Sequence, residues 1–371
     1  MTNTNNIEMA PVTPEMPWSV AVMQAGKVRS NILLSSDSYK IQHPKMSAPG
    51  TERVWSYFQS RLGAEFDVQK MACLQPMLIE HFCTPFTYEE MLDFFVFSTA
   101  HGCPAPEDKV RRLFEKYHGY LPIEIRAIPE GMVLPINNAL ITVENTDDEF
   151  PWVTNYIETE LSHIWYPIYV ATLSYMTRKL IKGYLEETAD DLSMLNWMHH
   201  NFGDRGATCR EAAMIAGMAH AMAGSKGTDS IIGCYGAWKY YDAPRACSFS
   251  VAATEHSIMT SMGREGEKEV FRYLLERFPD GILSIVIDSY DYTRFISEYA
   301  LEFRDIIMAR KGKVVFRPDS GCPVTVSFDV YNRLAKVFGE TLNTKGYRIL
   351  PPQVGILWGD GIKMKGIGEI L

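Results

Sequence analysis

After residue 190 the chain repeats one arrangement six times: a short apolar run that ends in a polar cluster. The clusters are Asn201-Phe-Gly-Asp204-Arg205-Gly206, Gly227-Thr-Asp229-Ser230, Thr254-Glu255-His256-Ser257, Asp288-Ser-Tyr-Asp291, Arg317-Pro-Asp319-Ser320-Gly321 and Gly359-Asp360-Gly361. Their anchors at 204, 229, 256, 288, 319 and 360 are separated by 25, 27, 32, 31 and 41 residues, the length of one strand plus one crossover helix. The spacing predicts successive βα units, whose polar strand ends share the rim where a barrel or parallel sheet binds ligands. The clearest strands are 283–287 and 313–316, and the segment between them carries Phe295, Tyr299, Phe303 and Ile306 at helical spacing.

Upstream the text is different. Residues 53–61 place Val54, Ser56 and Phe58 on one face and Trp55 and Tyr57 on the other, which predicts a strand. Helical spacing takes over at 74–118, with Leu92, Phe95 and Phe97 crowding one region, and two further strands are expected at 123–128 and 140–143. A long helix follows over 153–188, interrupted or begun at Pro167. Residues 1–29 have no period and read as a loose tail. The expected organisation is a flexible tail 1–29, a mixed α/β domain 30–190 and an α/β barrel 191–371.

A chain of 371 residues with 46% hydrophobic and 22% charged residues buries a core without staples. Its net charge of −9 argues against a nucleic-acid partner, so a polyanionic substrate needs a local cluster of Arg or Lys. The seven cysteines are odd in number and never form a Cys-x-x-Cys pair, which points to reduced thiols in a cytoplasmic setting. Neither an apolar stretch of about 18 residues nor a secretion signal is present.

Each cluster admits a functional and a structural reading. Arg317-Pro-Asp319-Ser-Gly321 suits a phosphate or ribose contact, or is a capped strand-to-helix turn. Gly359-Asp360-Gly361 by itself reads as a turn. Asp288 and Asp291 suit a hydrated Mg²⁺, or Asp288 caps the next helix. His256 suits a base, a nucleophile or a phosphate acceptor, or is a hydrogen-bonded structural residue. Phe202 and Arg205 can sandwich and orient a flat heterocycle, or Phe202 is core. Asp229 can accept from an amide or cap a helix.

Taken in order, the clusters resemble the nicotinamide phosphoribosyltransferase family, which joins nicotinamide to 5-phosphoribosyl 1-pyrophosphate. The resemblance runs from Asn31-Ile-Leu-Leu-x-x-Asp37-Ser-Tyr39-Lys through Phe202-Gly-x-Arg-Gly, Lys226-Gly-Thr-Asp, Glu255-His-Ser, Asp288-Ser-Tyr-Asp, Arg317-Pro-Asp-Ser-Gly and Lys345-Gly-Tyr to Gly359-Asp-Gly. It implies an irregular α/β barrel of the type II phosphoribosyltransferases with an N-terminal mixed α+β domain, assembled as a cytoplasmic homodimer with shared active sites. It also implies roles. Phe202 and Tyr39 of the partner subunit would stack on the pyridine ring beside Arg205, and Asp229 would accept from the carboxamide. Arg317, Asp319, Gly359 and Asp360 would hold the phosphoribosyl unit, with Arg61 and Asp37 near the pyrophosphate. His256 would be phosphorylated by ATP, with Asp288 near it or near Mg²⁺.

The chemistry agrees with those roles. Loss of pyrophosphate builds positive charge on the ribose and negative charge on the leaving group, so cationic donors and acids are needed on opposite sides. An aspartate facing the ring substituent favours a carboxamide over the carboxylate of nicotinate or the two carboxylates of quinolinate. Members of the family continue past Gly-Asp-Gly into a Ser/Gly-rich phosphate loop, whereas this sequence stops ten residues after Gly361. The expectation is therefore a barrel incomplete at its C-terminus, a missing part supplied elsewhere or a shortened member. The alternatives are a nicotinate-using enzyme and a non-catalytic dimerising homologue.

Overall fold

The structure is a computed structural model that describes residues 31–371, so the expected tail over 1–29 lies outside the described residues. The chain forms two compact units. One holds the described residues up to Ser56 together with Met77–Arg126 and Thr142–His163; the other holds Tyr57–Pro76, Ala127–Ile141 and Ile164–Leu371. The division therefore does not fall at residue 190. Helix Trp165–Thr188 packs on helix Arg210–Met222 and on strand Val68–Lys70, where the Lys70 N–H donates to Thr172 Oγ1 at 2.9 Å.

In the first unit, helix Tyr88–Ala100 starts at a capping box in which Thr87 and Glu90 satisfy each other's backbone N–H. Its buried stripe is Met91, Phe94, Phe95 and Ser98, spaced i, i+3, i+4 and i+7, so Leu92 and Phe97 point outward. Phe94, Leu113, Phe150 and Val153 close the core of this unit. A three-stranded sheet, most but not all of whose residues belong to this unit, runs in the order Trp55–Phe58, Ile141–Asn145, Ile123–Ala127. The alternation read from the sequence holds, with Ser56 and Phe58 turned inward from exposed Trp55 and Tyr57. Pro167 sits in the first turn of helix Trp165–Thr188, where its missing N–H costs no hydrogen bond.

Six strands of the second unit lead the six clusters: β1 His200–Asn201, β2 Gly227–Thr228, β3 Ala252–Ala253, β4 Asp280–Val286, β5 Lys311–Arg317 and β6 Val354–Ile356. β1 pairs in parallel with β2, and a parallel bridge joins Gly227 to Phe249 just before β3. β3, β4, β5 and β6 follow as one parallel sheet. Spatial order equals chain order, as in the wall of a βα barrel, so consecutive clusters become neighbours. Leu283, Ile285, Val286 and Ile287 are all buried, as expected of a parallel strand covered on both faces. The helical segment after β4 buries Phe295, Tyr299 and Phe303 as its spacing predicts, but then Ile307 rather than Ile306. The helix breaks at Phe303 (φ −94°, ψ 15°) and restarts in a shifted register.

Candidate active site

The ends of β3, β4 and β5 are stitched together by their own polar side chains. Thr254 Oγ1 accepts the Val286 N–H at 2.9 Å, and Arg317 Nη2 donates to the Thr254 carbonyl at 2.6 Å. Asp288 Oδ2 accepts the Asp319 N–H at 2.8 Å and the Ser320 hydroxyl at 2.6 Å. The second oxygen, Asp288 Oδ1, is buried and takes no hydrogen bond. It lies 3.4 Å from His256 Nε2, while Asp319 Oδ2 lies 3.8 Å from His256 Nδ1. His256 is half-exposed at the start of the short helix His256–Met259, so an imidazole open to solvent stands between two carboxylates.

Gly359 follows β6 and closes this group. A Cβ there would come within 2.6 Å of Asp319 Oδ1 and 3.0 Å of Arg317 Cγ, so only glycine lets the chain lie against both side chains. Its N–H donates to the Pro318 carbonyl at 3.0 Å. Gly321, at φ +94°, supplies the turn beside Asp319 in a backbone region that disfavours other residues.

The other half of the rim comes from β1 and β2. The Phe202 ring lies 6.0 Å from the Arg317 guanidinium and 4.5 Å from the His200 ring, tilted by 34°. His200 Nε2 stands 2.9 Å from Asp229 Oδ1, and the Ser250 hydroxyl donates to the same oxygen at 2.5 Å. The hydrogen bond from His200 holds the Asp229 carboxyl below the usual carboxylate range; the Ser250 bond and the Arg317 charge act in the same direction, against partial burial. Asp229 is therefore an anion at neutral pH. Contacts through Phe202 and Arg317 join the two halves.

Structural alternatives fall away at two clusters. Ser230, not Asp229, caps the helix Ile231–Tyr241, with its hydroxyl accepting the Gly233 N–H. Asp291, not Asp288, caps the helical segment after β4 by accepting from the Thr293 and Arg294 N–H groups. Asp291 Oδ1 is occupied by the Thr293 N–H and hydroxyl and by the Arg294 N–H, whereas Asp288 keeps one oxygen free of hydrogen bonds. Lys345-Gly-Tyr is structural too. Its hairpin grips the end of helix Trp165–Thr188 through Lys345 Nζ on the Glu186 carbonyl and Asn343 Nδ2 on the Thr188 carbonyl.

The structure thus brings together Phe202, Asp229, His256, Asp288, Arg317, Asp319 and Gly359. Arg205, Asp360 and Arg61 also lie in the second unit; all three are exposed and have no side-chain partner among the described residues. Asp37 and Tyr39 belong to the first unit, where Asp37 Oδ2 accepts from the Thr159 hydroxyl at 2.7 Å and Tyr39 is exposed. His200 and Ser250 were not expected at the site, and Thr254, part of an expected cluster, had no role assigned. Strand alternation carried a signal for His200, which stands two residues before Phe202 and shares its face.

Comparison with known proteins gives the same assignment. Residues 197–371 match the nicotinate phosphoribosyltransferase (NAPRTase) family, and residues 31–125 match the N-terminal domain of nicotinamide phosphoribosyltransferase. The nicotinamide phosphoribosyltransferase of Xanthomonas campestris pv. campestris is 39% identical over 345 residues, covering 92% of this chain and 73% of that one. That of Acinetobacter baylyi is 33% identical over 387 residues, covering 92% and 75%. Two crystal structures share the fold at low identity. Nicotinate-nucleotide pyrophosphorylase from Pyrococcus furiosus has a TM-score of 0.56 at 14% identity, covering 92% of this chain and 69% of its own. Human nicotinic acid phosphoribosyltransferase has a TM-score of 0.55 at 15%, covering 81% and 64%. Among the described residues no helix is long and apolar enough to cross a membrane. With the type II fold, an acid–imidazole–acid group on the same rim as Phe202 and Asp229, and relatives matched along nearly the whole described chain, this protein belongs to the nicotinamide phosphoribosyltransferase family.

Proposed function

We propose that the chain transfers the phosphoribosyl group of 5-phosphoribosyl 1-pyrophosphate to nicotinamide, forming nicotinamide mononucleotide and pyrophosphate in NAD salvage. The observation that carries this reading is Asp229, an ionised carboxylate on the same rim as Phe202 and Arg317. An anion there repels the carboxylate of nicotinate and accepts from the carboxamide N–H of nicotinamide, which is why the nicotinate-using alternative is set second.

The reaction needs little acid–base chemistry. The pyridine nitrogen attacks C1 of the ribose, the C1–O bond breaks, and the electron pair leaves with pyrophosphate while the ring nitrogen becomes cationic. Positioning carries the rate: Phe202 holds the ring face, Asp229 sets its rotation, and Arg317, Asp319 and the backbone at Gly359 and Asp360 receive the phosphoribosyl unit. Arg205 and Arg61 complete the substrate contacts in this reading. A homodimer would bring Tyr39 of the partner subunit to the second face of the ring, and the exposure of Tyr39 suits that use.

Magnesium fits as an ion that brings most of its ligands from substrate phosphate and water. Among the described residues no cluster of three or more His, Cys, Asp or Glu side chains could hold a metal ion, yet Asp288 Oδ1 is buried without a hydrogen bond and Asp319 flanks the same imidazole. When bound, the ion would neutralise charge on the departing pyrophosphate. ATP would stimulate turnover by phosphorylating His256: a ring nitrogen attacks the γ-phosphorus, ADP leaves, and a proton is lost from the imidazole beside its two carboxylates.

The test is mononucleotide formation from nicotinamide and 5-phosphoribosyl 1-pyrophosphate with purified protein, with and without ATP. Nicotinamide turnover exceeding nicotinate turnover is expected. Exclusive use of nicotinate would overturn the assignment.

A further inference from the structure

His200 is absent from the substrate contacts assigned above, yet its ring is held on the β1 side of the rim. It is 13% exposed, it packs on Phe202, and its Nε2 meets Asp229 Oδ1 at 2.9 Å. Gly227, its pairing partner on β2, makes room for it. A Cβ at Gly227 would come within 2.7 Å of His200 Nδ1 and 3.2 Å of the Trp197 carbonyl, so the ring lies against a bare Cα. Nδ1 makes no hydrogen bond among the described residues, so a proton there would find no acceptor, which suits the tautomer with its proton on Nε2 facing Asp229.

His200 and Ser250 both donate to the same oxygen of Asp229. A carboxylate held by two donors on one oxygen cannot rotate freely, and its other oxygen is left for a ligand. Asp229 Oδ2 has no hydrogen-bond partner among the described residues, and the Asp229 side chain remains 45% exposed. We infer that His200 is the positioning residue for amide selection: with Ser250 it turns the free oxygen of Asp229 toward the substituent on the pyridine ring. The inference rests on the proposed function and adds to it a residue that acts through Asp229 rather than on the substrate.

The test compares wild type, His200→Leu and His200→Gln in steady-state kinetics with nicotinamide and with nicotinate, each variant checked by thermal melting. Leucine removes the donor; the amide nitrogen of glutamine reaches the position of Nε2 and restores it. The nicotinamide-to-nicotinate ratio of kcat/KM should fall about tenfold or more in His200→Leu, mostly through KM for nicotinamide, and return to within about threefold of wild type in His200→Gln. An unchanged ratio in His200→Leu overturns the inference, as does a glutamine variant as impaired as leucine, which would assign the effect to packing on Phe202. If wild type does not turn over nicotinamide, the proposed function fails separately. The inference is then decided by calorimetric binding of nicotinamide and nicotinate to the same three proteins, where the same shift supports it and binding of neither overturns it.

Discussion

His256 Nε2 faces Asp288 Oδ1 at 3.4 Å, and that carboxylate oxygen is buried with no hydrogen bond of its own. The other oxygen of Asp288 is committed to the Asp319 N–H and the Ser320 hydroxyl. One side chain thus fixes the turn that carries Asp319 and presents a negative charge to the imidazole. Asp288→Asn keeps an acceptor for the turn but removes the charge. ATP stimulation should fall toward unity, with a melting temperature within about 3 °C of wild type. A variant stimulated by ATP as strongly as wild type would disconnect Asp288 from His256 chemistry.

In the proposed function Asp229 sets the charge opposite the ring substituent. Asp229→Asn should weaken nicotinamide use about tenfold and improve nicotinate use, read as kcat/KM for both substrates in one preparation. Equal preference before and after the change would remove Asp229 as the discriminator.

At Gly359 a methyl group has no space beside Asp319 Oδ1 and the Arg317 side chain. Gly359→Ala should therefore cost activity about tenfold or more by displacing both side chains, while the fold melts within a few degrees of wild type. Retained activity would show that the two side chains can yield without losing the substrate.

Glu267 gives the fold a pH dependence. It is 2% exposed on helix Gly263–Arg277, and burial pushes its carboxyl up from 4.5 to about 7, against the opposing charges of Arg294 and Arg264 and with Asp291 adding to the rise. Because the folded state holds this proton more tightly than the unfolded chain, the contribution is fully present below about pH 4.5 and is lost as pH rises through about 7. Glu267→Gln should flatten the fall in melting temperature between those limits. A slope identical to that of wild type would place the pH dependence elsewhere.

The Phe202 ring lies 4.5 Å from the His200 ring and 6.0 Å from the Arg317 guanidinium. Phe202→Ala should raise KM for nicotinamide about tenfold, and Phe202→Tyr should keep most of the affinity because a ring face remains. Equal KM values in the alanine variant and wild type would exclude stacking.

The sequence by itself determined the six βα units and the residues at their ends. Strand length and crossover length are local properties, and the period of 25 to 41 residues between clusters is written in the chain. Alternation likewise made the faces of Trp55–Phe58 legible, and Pro167 marked the first turn of its helix. Only the tertiary structure decided which of two adjacent polar residues serves the helix and which serves the site. Ser230 and Asp291 take the capping positions, leaving Asp229 and Asp288 for the rim: all four are good capping types, so only the path of the backbone decides which one stands at the helix start. The pairing of His200 with Asp229, 29 residues apart, was likewise invisible in one dimension. It follows from the parallel register of β1 on β2, which sets the histidine over a glycine and aims it at the next strand end.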